Sequence, residues 1–352
     1  MLKGEVPVGR RNRSYSKDLH QQVYEKLTGM QAFGESKKKA MEDGTAQDKI
    51  FSFSTYQTYW KHCKYFVKWM KEKYPDITTL KKAKAYVAEW LQSRVDYIDK
   101  NCNHLSAWTV QTEAAALHKL FGIRPDDPDR FQPPKRRRED IRRSRTDAVR
   151  DKHFSQTNND DLIKFCKGTG LRRAGVEAVR GRDLMTKEDI MTHIRRIEGI
   201  PEGKRTSADK TMLGICRDAL LFKDQNYFIR VREKGGRERI SPVISNIQQI
   251  VDRFRDTDPD ERVWTHVSKN ADIHNFRSCY ATRIYKMYAR SIQKIPYDKV
   301  NKGTGRRYQS EVYHCRKDEK GKKLDKRAMF LCSKALGHNR IEVVANNYLR
   351  GL

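Results

Sequence analysis

The stretch 125–151 constrains the fold of this chain most, because no helix or strand can run through it. Its first half contains four prolines: Pro125, Pro128, Pro133 and Pro134. Proline has no amide hydrogen and fixes φ, so prolines at this density interrupt regular structure. The sequence therefore predicts four regions: a basic N-terminal extension over 1–49, a helical domain over 50–124, this basic linker, and a larger domain over 152–352.

The helical domain has the apolar pattern of a compact bundle. Apolar and aromatic side chains recur with a period of about 3.6 residues over 55–73, and similar patterns follow over 80–95 and 106–121. Ser106 is a typical N-cap, and Gly122 is a typical helix stop. We expect the aromatic side chains of these helices to form a core rather than a surface that stacks on bases, and we expect no catalytic cluster here.

The basic extension contains one predicted helix, over 14–27, where leucine and valine recur at helical spacing. Lys37-Lys38-Lys39 follows that helix. Two interpretations of these lysines stay open at this point: a loop or arm that contacts phosphates, or a solvated tail.

Beyond residue 152 the pattern changes to short helices around one β-hairpin. The segments 227–231 and 238–244 alternate apolar and polar residues on the two sides of Gly235-Gly236, which favours a tight turn. Helices are predicted in six places: 158–166, 172–180, 244–256, 273–290, 325–336 and 340–349. The predicted fold class is mainly α with a small β-sheet, with a helical first domain and a mixed α+β second domain.

Net charge is the compositional feature with the clearest functional consequence. The 352 residues include 74 lysines and arginines against 45 acidic residues, for a formal net charge of +29. Such a field attracts polyanions and speeds encounter with them, and solubility alone needs far less charge. The basic residues are spread through the chain rather than stacked on one amphipathic helix, so we expect nucleic acid rather than a membrane surface as the partner.

The sequence gives no sign of export or of metal binding. The N-terminus lacks the apolar stretch of a signal peptide, and no apolar run is long enough to span a bilayer. Seven cysteines without paired spacing indicate reduced thiols and a cytoplasmic location. Cys102/His104 and His314/Cys315 are isolated pairs without a CxxC partner set, so zinc is disfavoured.

Five short motifs of the second domain hold the residue types that cleave a phosphodiester without a metal. They are Thr169-Gly170-Leu171-Arg172, Lys234-Gly235-Gly236, His274-Asn275-Phe276-Arg277, Leu336-Gly337-His338 and Tyr348. Fixed cations stabilise the charge that gathers on the phosphate oxygens, and a proton donor is needed for the leaving oxygen. His274 and Arg277 are spaced i, i+3 and share one helix face. In this order, in a strongly basic chain, the motifs resemble the tyrosine recombinase (phage integrase) family over roughly residues 50–352.

This resemblance implies a role for each motif residue. Tyr348 would attack the scissile phosphate and form a 3′-phosphotyrosyl link. Arg172, His274, Arg277 and His338 would hold the phosphate, and Lys234 would protonate the leaving 5′-oxygen. The covalent link conserves the bond energy, so neither a nucleotide nor another cofactor is implied.

The resemblance also implies the biological setting. The expected function is site-specific recombination of double-stranded DNA, for integration or excision of a mobile element such as a phage. The expected assembly is a homotetramer on two recombination sites, with room for accessory DNA-bending proteins, associated with the nucleoid. The region 50–124 would be the core DNA-binding domain, and 152–352 would be the catalytic domain.

Four features depart from the family pattern. Gly175 stands where the family commonly has a glutamate. Tyr348 follows His338 by ten residues, whereas the commoner spacing would place Asn347 at the nucleophile position. The stretches 186–222 and 288–325 look like additions to the family's domain.

Further arginines are expected to contact the DNA backbone. They are Arg136, Arg137, Arg138, Arg142 and Arg143 in the linker, and Arg237 and Arg239 after the hairpin turn. Alternative functions remain open, because a type IB topoisomerase or a telomere-resolving enzyme would use a chemically similar site. Gly175 and the shifted tyrosine also leave open a DNA-binding regulator that no longer cuts.

Overall fold

The chain divides into two compact units, with the boundary at residues 137 and 138. This computed structural model describes residues 17–137, 154–232, 236, 238–316, 319–338, 340–349 and 352. The described residues are mainly helical and contain three small antiparallel sheets, which confirms the fold class of mainly α with little β. The boundary falls inside the predicted linker, most of which lies outside the described residues. Within the described part of the chain, no helix is long and apolar enough to cross a membrane.

The first unit is a bundle of helices. Their bounds are α1 Leu19–Gly29, α2 Lys37–Glu42, α3 Phe53–Lys73, α4 Leu80–Ala83, α5 Val87–Asp96 and α6 Ala107–Phe121. The predicted helix over 80–95 is wrong in one respect, because a 3₁₀ turn at Lys84–Tyr86 separates α4 from α5. Lys37-Lys38-Lys39 is also not a loop: it begins α2, where Ser36 accepts a hydrogen bond from the amide of Lys39.

The core of the first unit is aromatic, as predicted. Phe66 of α3 meets Trp90 of α5 and Phe121 of α6 edge-to-face, with ring centroids 5.7 and 5.8 Å apart. All three side chains are buried. Helix α3 packs along α6 and α1, so its apolar stripe is covered on both sides.

The second unit contains eight α-helices and seven strands in its described residues. The helices are α7 Asp160–Thr169, α8 Arg173–Ala178, α9 Lys187–Glu198, α10 Ser207–Ala219, α11 Ile247–Arg255, α12 Ile273–Tyr288, α13 Lys326–Ala335 and α14 Ile341–Asn347. The strands are β1 Leu184–Thr186, β2 Tyr227–Arg232, β3 Glu238–Pro242, β4 Lys299–Val300, β5 Arg307–Tyr308, β6 Val312–His314 and β7 Lys323–Asp325. The predicted hairpin is β2–β3, and β1 adds an unpredicted third strand on the other side of β2.

Strand β2 separates two apolar cores of the second unit. Phe228 packs into a core with α10, α12, α13 and α14, whereas Ile229 and Val231 pack into a second core with α7, α8 and α11. Neighbouring residues of a strand point to opposite faces, which is why one strand serves both cores. Helix α12 packs against both α7 and α13. This packing brings the ends of α7 and α13 together beside the first turns of α12.

The two stretches that look like additions are both ordered. The stretch 186–222 forms α9 and α10, and α10 packs against β3. The stretch 288–325 forms the pairs β4–β5 and β6–β7. Its ends are tied by Arg290, whose side chain donates two hydrogen bonds of 2.9 and 2.8 Å to the fully buried carboxylate of Asp325.

Candidate active site

Helix ends supply the backbone of the candidate site. Helix α7 is followed by its C-cap residue Gly170, and α13 is followed by its C-cap residue Leu336 and then by Gly337 in a left-handed conformation (φ +68°). Carbonyls at a helix C-terminus have no partner within the helix and carry partial negative charge. Helix α12 begins beside them, capped by Asp272, which accepts a 3.1 Å hydrogen bond from the amide of Asn275. The local geometry therefore offers acceptors for cationic side chains.

Arg277 uses these acceptors. It is 2% exposed, and its guanidinium donates to the carbonyl oxygens of Gly170 and Leu336. Its Nε lies 3.3 Å from the hydroxyl of Tyr348. One side chain thus connects the motif at the end of α7, the motif after α13 and the predicted nucleophile. The planar guanidinium suits this, because its donors point in fixed directions.

Tyr348 lies in the same cluster. Its hydroxyl is 3.2 Å from Nε2 of His338, and its ring is stacked on that of His274, with centroids 5.3 Å apart and an interplanar angle of 10°. The side chain is buried, whereas that of His274 is exposed and that of His338 is half-buried. The two predicted histidines, Arg277 and the predicted tyrosine therefore meet in one place.

The ten-residue spacing between His338 and Tyr348 is accommodated at the end of α14. Tyr348 follows the last residue of that helix, and its backbone is no longer helical, with φ −125°. Asn347, at the commoner spacing, is exposed, and its Nδ2 donates to the carbonyl of Val343 at 3.0 Å. The structure thus turns Tyr348, and not Asn347, toward His338.

Arg172 stands directly before α8, in extended conformation, and is half-buried. Burial lowers its pKa, the charge of Arg277 lowers it further, and Tyr348 raises it. Arg172 therefore belongs to the electrostatic environment of Arg277 and Tyr348. The adjacent Arg173 points elsewhere, donating to the carbonyls of Ser268 and Ala271 at 3.0 and 2.7 Å.

Gly175 is buried in the packing between α8 and β2. A Cβ at this position would lie 3.1 Å from Cγ2 of Val231 and 3.6 Å from Cβ of Leu171. Contacts of 3.1 Å are tighter than ordinary van der Waals packing. The space beside Gly175 is occupied by the side chains of Val231 and Leu171, so a longer side chain would have to displace that of Val231.

Apart from Arg239, the other predicted residues lie either outside the described part of the chain or in the first unit. Lys234 and Arg237, together with Arg138, Arg142 and Arg143, lie outside the described residues. Arg136 and Arg137 belong to the first unit. Arg137 is exposed, and the guanidinium of Arg136 lies over the ring of Trp108, 5.6 Å from its centroid.

The expectation for Arg239 needs correction. Predicted as a contact to the DNA backbone, it is only 5% exposed, and its guanidinium donates to the carbonyl oxygens of Ala335 and Gly170. Burial lowers its pKa well below the ordinary value, and the charges of Arg277 and Arg172 add to this effect. Arginine nevertheless stays protonated in proteins. Charge after a glycine turn suggested an exposed side chain, but β3 is buried from Arg239 onward.

Two further side chains support the cluster and were not among the predicted site residues. Tyr280 is fully buried, and its hydroxyl donates to the carbonyl of Pro242 at 2.8 Å. Ser241 lies 3.1 Å from that hydroxyl and donates to the carbonyl of Thr169 at 2.8 Å. Burial raises the pKa of Tyr280, so this phenol remains protonated and is unsuited to nucleophilic attack. The sequence offered one indication that Tyr280 lies near the site: it stands three residues after Arg277, on the same face of α12.

Comparison of the sequence with protein-family models and with curated proteins gave no match. The arrangement itself has a definite chemical capacity. A phenol at hydrogen-bond distance from an imidazole can lose its proton to that ring, and fixed guanidinium groups beside it can stabilise an anion. Among the described residues, no three His, Cys, Asp or Glu side chains are grouped so that they could hold a metal ion.

Proposed function

We propose that this chain cuts and rejoins double-stranded DNA at specific sites through a 3′-phosphotyrosyl intermediate, as a recombinase of the tyrosine type. One observation supports this most directly. The hydroxyl of Tyr348 lies 3.2 Å from Nε2 of His338 and 3.3 Å from Nε of Arg277, in the same chain. The sequence motifs had suggested these three residues independently of any geometry.

The reaction is balanced without a cofactor. The oxygen of Tyr348 forms a bond to phosphorus while the bond from phosphorus to the 5′-oxygen breaks. His338 accepts the phenol proton through Nε2 and then donates to a phosphate oxygen, and Lys234 gives the leaving 5′-oxygen its proton. Attack by a 5′-hydroxyl on the phosphotyrosine reverses these steps and restores the DNA backbone.

Fixed cations supply the stabilisation of the transition state. Arg277 is held in place by the carbonyls of Gly170 and Leu336, so it does not have to reorganise when charge develops on the phosphate. Arg172 and His274 complete the group of residues around the phosphate. Removing one such donor typically lowers the rate by a factor of about 100 to 1,000.

The partner follows from the charge. A net charge of +29 favours a nucleic-acid polyanion. The proposed setting is integration or excision of a mobile element by a homotetramer on two DNA sites, in the cytoplasm and at the nucleoid. The DNA that flanks the gene is the first place to look for such sites.

The decisive experiment uses a nicked suicide substrate made from that flanking DNA. We expect wild type to give a covalent protein–DNA adduct that mass spectrometry maps to the peptide containing Tyr348. Tyr348→Phe is expected to give none, whereas Tyr297→Phe, which removes an exposed phenol of the same unit, should behave as wild type. An adduct that persists in Tyr348→Phe would exclude this residue as the nucleophile.

Two other outcomes point to the alternative functions. Relaxation of supercoiled plasmids that lack the paired sites would indicate a topoisomerase, and sealed hairpin ends on a single linear site would indicate a telomere-resolving enzyme. Specific binding to the site without any adduct from wild type would indicate a regulator that does not cut.

A further inference from the structure

Arg239 is a buried cation for which the cleavage steps above have no use. It enters from β3, where it pairs with Val231 of β2. Paired residues of antiparallel strands lie on the same face of the sheet, and Val231 belongs to the core that contains α7. Arg239 is 5% exposed. Arg277 is just as buried, but its Nε faces the hydroxyl of Tyr348, whereas the guanidinium of Arg239 is directed at backbone carbonyls.

The guanidinium of Arg239 joins two helix ends. One nitrogen donates to the carbonyl of Ala335, the last residue of α13, and another lies 3.4 Å from the carbonyl of Gly170, at the end of α7. Both oxygens are unpaired within their helices and lie at the negative ends of the helix dipoles. A cation that bridges them offsets the repulsion between the two helix ends and fixes their separation.

Arg277 is held by the same two helix ends. It donates to the carbonyl of Gly170, which Arg239 also approaches, and to that of Leu336, the residue after Ala335. Any displacement of these carbonyls therefore moves the guanidinium of Arg277. Its Nε is the atom that lies 3.3 Å from the hydroxyl of Tyr348.

The turn that carries His338 rests directly on Arg239. A Cβ at Gly337 would lie 2.7 Å from Cδ and 3.2 Å from Nε of Arg239. Real Cβ atoms do not approach other atoms that closely, so only glycine fits here without a shift of the arginine. The position of His338, one residue later, thus depends on the aliphatic stem of Arg239.

We propose that Arg239 is a positioning residue for strand cleavage. It fixes the position of Arg277 through the shared carbonyls and that of His338 through the turn at Gly337, so that both side chains contact Tyr348. It does not contact DNA. This inference rests on the proposed function and adds a residue to the machinery that carries it out.

The first test separates positioning from phosphate contact. In Arg239→Met, which keeps the length of the stem, we expect adduct formation under single-turnover conditions to slow about 100-fold, the effect typical of a small misplacement of catalytic groups. Affinity for the site and its dependence on salt should remain those of wild type. A lost phosphate contact would instead reduce the salt slope by about one. That result, or an unchanged cleavage rate, overturns the proposal.

Two further variants act as controls. Arg195→Met removes an exposed arginine of α9 that pairs with Glu188 at 2.8 Å, and it should leave the rate unchanged. Arg239→Lys keeps the charge but cannot bridge both carbonyls with a planar fork. We expect its melting temperature to stay near that of wild type while its cleavage stays slow. Full recovery of the rate by lysine would overturn the bridging role, and this variant decides the question if Arg239→Met does not fold.

A measurement without DNA keeps this inference separable from the proposed function. With 3-fluorotyrosine at position 348, the ¹⁹F resonance of the free protein should shift in Arg239→Met and not in Arg195→Met. If wild type forms no adduct on any site but the resonance shifts, the proposed function fails and the positioning contact stands. An unshifted resonance means that Arg239 does not set the surroundings of Tyr348.

Discussion

Gly170 shows how much of the candidate site depends on a single backbone group. Its carbonyl accepts from Arg277 and is approached by Arg239, and its φ of +61° turns the chain away from α7 toward Arg172. A Cβ at this position would lie 2.3 Å from Cδ1 of the buried Tyr280. A side chain here therefore meets two penalties: the left-handed backbone and a clash in the core.

These two penalties can be measured separately. Gly122 ends α6 with φ +64°, but nothing lies within 4 Å of a Cβ there. We expect Gly122→Ala to lower the free energy of unfolding of its unit by about 1–2 kcal/mol, from the left-handed backbone alone. Gly170→Ala should cost about 1–3 kcal/mol more, because overpacking is added. Urea unfolding checks both variants, and equal losses would mean that Tyr280 moves aside freely.

The sequence predicts individual site residues unevenly. His274 and Arg277 could be predicted because i, i+3 spacing fixes a shared helix face, and Tyr348 because Asn347 cannot act as a nucleophile. Arg239 was assigned to DNA because its burial depends on α7 and α13, which are distant in the sequence. Tyr280 was not among the predicted site residues, since nothing local reveals its hydrogen bond to Pro242.

At the scale of elements, the helices with a sustained apolar period were predicted and the shortest elements were not. The apolar stripe of α3 and the Gly-Gly dipeptide between the two hairpin segments are local signals, and α3 and the strand pair β2–β3 are present. Strand β1 has three residues, so its pairing with β2 depends on contacts rather than on a pattern. The strands of the pairs β4–β5 and β6–β7 have only two or three residues each, which explains why the sequence showed the stretch 288–325 only as an addition.

The ion pair between Arg290 and Asp325 makes the stability of this stretch depend on pH. Burial opposes ionisation of Asp325, but hydrogen bonds from Arg290 and from the amide of Arg327 lower its pKa below the ordinary value. The ionised carboxylate of Asp325 therefore contributes fully to stability above a pH of about 4. This contribution is lost as the pH falls through the lowered pKa of that carboxyl. We expect Asp325→Asn to lower the free energy of unfolding by about 2 kcal/mol near neutral pH, the value of a hydrogen bond to a charged group.

Urea unfolding over a series of pH values tests this contribution. The difference between wild type and Asp325→Asn should shrink below a pH of about 4, because the wild-type carboxyl becomes neutral as well. Asp260→Asn, at an exposed ion pair with Arg182, is the control, since exposed pairs contribute little. A difference that stays constant with pH would assign the loss to packing rather than to charge.

At the scale of the whole molecule, the described residues of the candidate site all come from one chain and one unit. Arg172, His274, Arg277, His338 and Tyr348 belong to the unit that begins at Arg138. Leu349, next to the tyrosine, is also held within the same chain, because Lys322 donates a hydrogen bond of 2.7 Å to its carbonyl. An assembly of several copies is therefore not needed to bring the tyrosine to its own histidine and arginine.

This predicts cleavage by a chain's own tyrosine. We expect a mixture of Arg172→Ala and Tyr348→Phe subunits to form no more adduct than either variant alone, because neither chain contains a complete site. Wild type mixed with a size-tagged Tyr348→Phe subunit should form adduct only on the wild-type polypeptide, and recovery of that adduct through the tag shows that mixed assemblies form and are active. If the tyrosine acted on a neighbour's phosphate, the Arg172→Ala chain would supply it to the intact pocket of Tyr348→Phe. An adduct on the Arg172→Ala polypeptide in that mixture would therefore contradict the prediction, and gel separation by size detects it.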